Sequence, residues 1–439
     1  MAVLAFAATV LFLGPAPAWA HPYLVQTLPG PGAIVSQPPR AIEIGFTERI
    51  ILDGSSLELL DPAGQPVALG PLHKPKTGPG LAADIKADLH SAVYRVKWVV
   101  LGDDGHSSSG DFHFGLADPT GKPPPGAEQL SVTGGPGAQS QASDTPLRVI
   151  LRWAGLLGAA LLLGGAVLVS RLRGRLDPEA DAAVSGRWRT LSRLAWLLAV
   201  AGGIAAVVAS AGAGAGGARL EIIFATSTGT LALAQLGAGV LAAIPALVQG
   251  SAPGRDNFLG MAGAIYLGAE AAGGHVTALT TWRIPAGLAQ AAHLAAGAVW
   301  VGGLVTLAVA VLGLPSGQRS AAWRVAASAF GPVAAASAAV VVITGTLAAI
   351  REVDHLYFLR WSTYGRFLLL KLALVAAMLV LGGVVGRSMK ARRASGGSSP
   401  VLRLLRSEAV LGVTVLVLAA TLAGSAQRSE EHTSELQSL

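Results

Sequence analysis

The sequence predicts a two-part fold, an all-β domain at the amino-terminal end followed by a polytopic α-helical membrane domain of about eight transmembrane helices. Of the 439 residues, 52% are apolar and only 13% are charged, and the mean hydropathy is positive. Soluble globular proteins do not have this composition. Segments that alternate polar and apolar residues are confined to residues 21–118, whereas the chain from Leu147 onward is almost continuously apolar.

Residues 1–20 have the pattern of a cleavable export signal, an apolar run followed by small residues at Ala18 and Ala20. Cleavage after Ala20 would make His21 the first residue of the mature chain. No Lys or Arg precedes the apolar run, so the alternatives are an uncleaved anchor or a start assigned too late in the chain.

Residues 21–118 contain the alternating segments AIEIGFTERI, SSLELLD, YRVKWVV and DFHFGLA, separated by Pro, Gly and Asp. Short alternating runs at such spacing predict an Ig-like or Greek-key β-sandwich or a small barrel. Residues 119–146 are rich in Pro, Gly, Ser and Gln, a composition that predicts a flexible linker without a core of its own.

Residues 147–425 form the predicted membrane domain, because runs of about 20 apolar residues are long enough to cross a bilayer as helices. The eight predicted spans are 147–170, 190–212, 226–249, 257–279, 286–313, 325–350, 366–386 and 405–425. With an exported amino terminus, the loops predicted to be cytoplasmic carry several times more Arg and Lys than the predicted outer loops.

The same loops account for the net charge of +7, so a basic chain here does not indicate a nucleic-acid partner. Cysteine is absent, which excludes a disulfide framework and a thiolate metal site. Residues 426–439 are abruptly polar and resemble translated sequencing-adapter sequence, so we predict that this tail is non-native and assign it no function.

A metal site is suggested by His21, because a mature amino-terminal histidine offers an α-amine and a ring nitrogen to one ion. Asp104 and His106 are two residues apart, so in an extended segment their side chains point the same way. Cu(II) favours such nitrogen and oxygen donors. The alternative for the DGH segment is turn chemistry, with Asp104 and Gly105 making the bend and His106 solvated.

The segments HPYLVQTLPGPGA, IEIGFTERI and YRVKWVVLGDDGHSSSGDFHFGL, in this order, resemble the copper-binding CopC family. The resemblance implies a Cu(II) site formed by His21, Asp104 and His106, with Glu48 where some members place a further acidic group. Some members also have a Met-rich patch for Cu(I), but here no Met occurs between residues 21 and 260. A thioether Cu(I) site in the exported domain is therefore excluded. His113 alternates with two phenylalanines, which predicts that it faces away from the core.

Ionisable side chains at membrane depth are costly and mark candidate pathway residues. These candidates are Glu270, His275, His293, Lys371 and Glu408. The predicted topology places His275 and His293 in the outer half of the membrane, where an entry site would lie. The alternatives are helix-packing hydrogen bonds for the histidines and interfacial snorkelling for Lys371 and Glu408.

Three features bear on the geometry of these candidates. His293, Gly297 and Trp300 share one helix face, and Gly297 would let another helix approach closely. Glu270 and His275 are five residues apart and differ by about 140° on an ideal helix. The glycine pair 273–274 could unwind the helix and relieve that separation.

The segments HLAAGAVWVGGL, TGTLAAI, YGRFLLLKLALV and LLRSEAVLG resemble the CopD family of copper-resistance and copper-uptake membrane proteins. The two resemblances together imply a non-enzymatic copper importer in the bacterial inner membrane, with an extracytoplasmic β-domain. No ATP-binding motif is present, so any transport would proceed without its own ATPase. Expected partners are copper, the lipid bilayer and periplasmic copper donor proteins. The alternatives are a membrane-anchored copper buffer and a haem-binding redox protein.

Overall fold

The structure is a computed structural model that describes most of residues 24–391. The described ranges are 24–46, 49–76, 78–102, 107–130, 140–141, 146–212, 220–248, 254–273, 283–311, 313–352 and 363–391. Within them, every β-strand precedes the first α-helix, which confirms the predicted order of a β-domain followed by a helical domain.

The β-domain consists of two sheets. Its strands are β1 (Leu24–Leu28), β2 (Ile34–Val35), β3 (Ala41–Phe46), β4 (Ile50–Leu60), β5 (Pro66–Val67), β6 (Gly80–Asp84), β7 (Ala92–Gly102), β8 (Ser107–Leu116) and β9 (Ser140–Gln141). One sheet has the order β1-β3-β6; the other has the order β2-β8-β7-β4-β5, with β9 added to β8. All pairings are antiparallel except that of β2 with β8.

The core of the β-domain lies between the two sheets, where their inward-facing apolar side chains meet. Phe46 of the first sheet packs edge to face on Trp98 of the second, with 5.1 Å between ring centroids. Gly110 pairs with Trp98 across β7 and β8, and a Cβ there would lie 2.6 Å from the indole. The indole can therefore cover this position only because it is glycine.

The described parts of the predicted linker differ from a simple tether. Asp118 accepts backbone hydrogen bonds from Thr120 and Lys122, both at 2.9 Å, and closes a turn directly after β8. Buried Pro124 and Leu130 then cover Gly115, and β9 pairs with β8. Apolar residues of this polar, Pro-rich segment therefore pack on the surface of the β-domain.

The helical domain contains eight described helices. They are α1 (Pro146–Leu172), α2 (Pro178–Ala211), α3 (Leu220–Ala225), α4 (Ser227–Leu247), α5 (Arg255–Ala272), α6 (Arg283–Ala310), α7 (Ser316–Glu352) and α8 (Thr363–Ala391). Five described segments are long and apolar enough to cross a membrane: Leu147–Leu172, Pro178–Ala211, Ser227–Leu247, Ile284–Ala310 and Ala321–Ala349.

These five segments correspond to the predicted spans one, two, three, five and six. The fourth predicted span falls on α5, which has only 18 residues and is charged at Arg255, Asp256 and Glu270. The seventh falls on α8, whose described apolar part is Leu369–Val384. The eighth, residues 405–425, lies outside the described residues. Membrane-spanning helices are therefore confirmed, and the number eight stays a prediction.

Helix α1 is the centre of the bundle, and 72% of its most apolar stretch is buried. Small residues let its neighbours approach: a Cβ on Gly158 would lie 2.5 Å from the carbonyl oxygen of Ala195 in α2. A Cβ on Gly263 of α5 would lie 2.6 Å from the carbonyl oxygen of Ala159. Close backbone approach at small residues is a usual way of packing helices in a membrane.

His113 lies on the outer face of the larger sheet, as its alternation with buried Phe112 and Phe114 predicts. It is half-buried beside Arg95, its partner across β7 and β8. Partial burial lowers the pKa of the His113 imidazole because the charged form loses hydration, and the Arg95 charge acts in the same direction. Asp111 opposes this shift without cancelling it.

We therefore expect the β-domain to lose stability as the pH falls through about 6.5, where the unfolded chain takes up a proton that folded His113 resists. His113→Gln should remove this part of the pH dependence. Pulse proteolysis of the full chain in urea at neutral and mildly acidic pH would measure it. His90→Gln, at an exposed loop histidine, should keep the wild-type pH dependence; an unchanged profile in His113→Gln would contradict the assignment.

Candidate functional site

The four predicted copper ligands, His21, Glu48, Asp104 and His106, lie outside the described residues. Among the residues that are described, no group of three or more His, Asp or Glu side chains could hold a metal ion. The structure therefore bears on the predicted site through the strand ends that flank these four positions.

Strand register brings those flanking residues to one end of the β-domain. Leu24, three residues after His21, pairs with Phe46, two residues before Glu48. Ile50, two residues after Glu48, pairs with Gly102, two residues before Asp104.

The β7–β8 hairpin completes this arrangement. Leu101 pairs with Ser107, the residue directly after His106. Strand β3 leads into β4 at the same end, and the contact between Phe46 and Trp98 joins the two sheets close to it. The ends of five strands, β1, β3, β4, β7 and β8, thus converge where the predicted ligands attach.

Glu270 in the helical domain is engaged by two other helices. Its Oε1 accepts from Nε and Nη2 of Arg152 in α1, at 3.0 and 2.6 Å. Its Oε2 accepts from Nε2 of Gln235 in α4, at 2.7 Å. Both carboxylate oxygens already have donors, as a charged group at this depth requires. Glu270 joins α1, α4 and α5 near the end of the bundle where α1 begins.

Sequence reasoning missed Arg152 and Gln235, because they are 118 and 35 residues from Glu270. The available signal was a polar side chain within each of two apolar spans. Because ionisable side chains inside a membrane are usually paired, a polar partner for Glu270 could have been expected in one of these spans.

His293 of α6 is half-buried and contacts α7. Its Nδ1 lies 2.9 Å from Oγ1 of Thr344, and that hydroxyl donates to the carbonyl oxygen of Val340 at 2.6 Å. The tautomer with its proton on Nδ1 fits this contact when the hydroxyl donates to Val340, and in that tautomer Nε2 has the lone pair that a metal ion needs.

The remaining membrane candidates are placed only in part. Lys371 of α8 is half-buried and adds a positive charge near His293. His275 and Glu408 lie outside the described residues. Glu270 and His293 each bond to their own partners, so the described contacts do not unite them in one site. Gly297 lies against α7, where a Cβ would be 3.9 Å from Val341.

Comparisons with known proteins match both parts of the chain to copper proteins. Residues 24–117 match the CopC domain family, and residues 324–422 match the family described as copper resistance protein D. Copper transport protein CutJ of Bacillus subtilis (strain 168) is 26% identical over 445 residues, which cover 92% of this chain and 74% of CutJ.

Two further relatives align with the β-domain. Copper resistance protein C of Xanthomonas campestris pv. juglandis is 31% identical over 110 residues, covering 24% of this chain and 86% of that protein. The crystal structure of CopC from Methylosinus trichosporium OB3b is 29% identical and covers 22% of this chain and 93% of its own, with a TM-score of 0.21.

The ion pair between Arg152 and Glu270 should contribute measurably to the stability of the helical domain. We expect Glu270→Gln and Arg152→Gln each to destabilise the full chain by on the order of 2 kcal/mol, because each leaves a partly buried charge without its main partner. The double variant should lose less than the sum of the two. The measurement is the thermal midpoint of the detergent-solubilised chain.

Glu179→Gln is the matched control, since Glu179 is exposed in the first turn of α2. It should leave the midpoint near that of the wild type. Strictly additive losses in the double variant would mean that Arg152 and Glu270 are not energetically coupled.

Proposed function

Since the chain belongs to the CopC and CopD copper-resistance family, we propose that it captures Cu(II) outside the membrane and passes copper inward through its helical domain. The observation that carries the proposal is the convergence of five strand ends on the predicted ligands. The name of the relative CutJ, a copper transport protein aligned over 92% of this chain, supports transport as the task of the whole chain.

The chain length between strand ends and ligands supports a single capture site. Each residue of extended chain spans about 3.5 Å. Asp104 is two residues from Gly102, and His106 adjoins Ser107; Glu48 and His21 are two and three residues from Phe46 and Leu24. These short separations from neighbouring strand ends support the proposal that the four side chains bind one ion.

The donor set favours Cu(II) over softer states of copper. An amine, two imidazoles and one or two carboxylates are nitrogen and oxygen donors, which suit Cu(II) in tetragonal geometry. The absence of Met between residues 21 and 260 leaves the exported domain without a thioether for Cu(I). Capture would then consist of displacing water from Cu(II) by His21, Asp104 and His106, with Glu48 adding negative charge.

The membrane step is proposed to use His293, with His275 as the second entry histidine. In the proposed form of His293 the proton is on Nδ1, which contacts Thr344, and Nε2 has the lone pair that binds a metal. Glu270 is proposed to be a structural tie, because Arg152 and Gln235 already occupy its carboxylate. Lys371 and Glu408 are retained as candidates near the ends of the pathway.

The relation between the two domains also supports transfer. Strand β4 and the short helix α3 approach within 8 Å between α-carbons. Helix α3 follows α2 in the loop predicted to lie outside. This contact supports a β-domain on the side of the bundle that the charge asymmetry predicts to be outside, which is the side from which copper would enter.

The capture site can be tested with Cu(II) EPR on the purified full chain, after mass determination of its mature amino terminus. We expect a mature chain that starts at His21 and one Cu(II) bound with nitrogen hyperfine structure. His106→Ala should weaken binding by more than the roughly tenfold to hundredfold that loss of an outer-shell partner costs, because it removes a ligand itself. His90→Ala is the matched control in the same domain. A different amino terminus, or unchanged affinity in His106→Ala, would remove the proposed site.

The membrane step can be tested by copper accumulation in cells that express the chain. We expect the His275→Ala, His293→Ala double variant to accumulate no more copper than cells without the protein, while its EPR signal for bound Cu(II) stays intact. Gln290→Ala, a polar position on α6, should accumulate copper like the wild type. If the double variant and a chain lacking residues 147–425 both accumulate copper normally, the chain is a copper buffer and import fails.

A further inference from the structure

A second polar cluster lies at the opposite end of the bundle, where α1 ends, α2 passes and α5 begins. We define this basic cluster as Arg173 and Arg255, which pair with the carboxylate of Asp256, together with Arg189 and Arg193, whose charges act on Arg255. Arg255 and Asp256 are buried, each with 4% of its side chain exposed. Two of these residues, Arg173 and Arg189, fall in a loop that the charge asymmetry predicts to be cytoplasmic.

Asp256 is saturated by its donors. Its Oδ1 accepts from Nη1 of Arg255 at 3.1 Å and from the indole Nε1 of Trp188 at 2.8 Å. Its Oδ2 accepts from Nη2 of Arg173. Nη2 of Arg255 turns instead to the hydroxyl of Ser192, at 2.8 Å. One carboxylate therefore serves two guanidinium groups and an indole.

The cluster has more positive charge and more donors than the described acceptors can satisfy. Arg189 and Arg193 add to the positive potential at Arg255, and Asp256 is the one carboxylate that offsets it among the described groups. The buried Nε of Arg255 has no hydrogen-bond partner among the described residues. Uncompensated charge of this kind is costly at the end of a membrane helix. Four guanidinium groups and one carboxylate leave three positive charges without an acidic partner in the cluster, which favours an anionic ligand.

Three of the four guanidinium groups are accessible to such an anion. Arg173 has 48% of its side chain exposed, and Arg189 and Arg193 are half-buried. Arg193 donates from Nε to the carbonyl oxygen of Ala246 at 3.3 Å. Among the described residues, no hydrogen bond engages the Nη groups of Arg193 or any side-chain donor of Arg189.

An apolar stripe begins beside the cluster. Phe258, Met261 and Ile265 of α5 are 58%, 50% and 40% exposed. Their spacing places them along one side of α5, the first about one turn from Arg255. Helix α5 coincides with the fourth predicted span, so an exposed apolar stripe on it suits contact with acyl chains, and the surface combines positive charge at one end with apolar side chains along its length.

From this juxtaposition we propose that the basic cluster binds the phosphate group of an anionic phospholipid, whose acyl chain lies along Phe258, Met261 and Ile265. Guanidinium groups suit phosphate because their paired donors match its oxygens. Basic pockets between helices on the cytoplasmic side are typical sites for anionic headgroups. The bound phosphate would supply the missing negative charge and join α1, α2 and α5. This proposal is independent of copper transport.

The test uses the purified full chain in neutral detergent, with lipid added as phosphatidylglycerol or phosphatidylcholine and, in a third arm, inorganic phosphate. Lipid retention is read by native mass spectrometry, and stability is read as the thermal midpoint. We expect phosphatidylglycerol to be retained and to raise the midpoint, with little effect of phosphatidylcholine or inorganic phosphate. Arg189→Gln, which breaks no described contact, should weaken phosphatidylglycerol binding by about fivefold.

Arg324→Gln is the matched control, an exposed arginine on α7 outside the basic cluster, and it should retain the lipid like the wild type. Phe258→Ser should also lower retention, since it interrupts the apolar stripe. Equal retention of the two lipids by the wild type, or an equal loss in Arg324→Gln, would overturn the proposal. If inorganic phosphate alone raises the thermal midpoint, the site binds a free anion, and the proposal of a bound phospholipid is wrong.

Discussion

Two ion pairs, one at each end of a pair of antiparallel helices, set the frame on which the membrane domain depends. Arg152 near the start of α1 holds Glu270 near the end of α5. Arg173, just after α1, holds Asp256 in the first turn of α5. Between them Gly263 lets the two backbones approach. Charges buried in a bilayer are tolerated only when paired, so the register of α1 against α5 is fixed at both ends.

Two apolar clusters pack around this frame. One joins α1, α2, α4 and α5 and also contains Ala298 of α6. The other joins α6, α7 and α8 and also contains Leu172 of α1. Helix α1 therefore belongs to both clusters, and its contact with α6 is a close backbone approach, since a Cβ on Gly164 would collide with the carbonyl oxygen of Ala298. His293 and Thr344 add a polar contact between α6 and α7.

The sequence predicts features that depend on a local pattern of residues. It does not predict contacts between residues that are far apart in the chain. Alternation along DFHFGLA predicted the inward phenylalanines and outward His113, and hydropathy predicted five of the spans. Neither the hydrogen bonds of Arg152 and Gln235 to Glu270 nor the contact of His293 with Thr344 can be predicted from any single segment. The same holds for Leu130, an apolar residue in a polar linker that finds its place only against Gly115 of the folded domain. The copper ligands themselves were predicted from family motifs and stay a prediction, because register reaches only their neighbours.

The pairing of Glu270 also bears on where a cation could cross. A carboxylate that accepts from a guanidinium and an amide has little negative charge left to offer, and a cation beside it would meet the repulsion of Arg152. Separating that pair would expose two charges to hydrocarbon and would loosen the frame of α1 and α5 at once. A metal at His293 would leave both ion pairs of α1 and α5 intact, but it would meet the positive charge of Lys371. The paired charges of α1 and α5 therefore serve as a fixed support for the rest of the bundle, which includes α7, where the copper resistance protein D match begins.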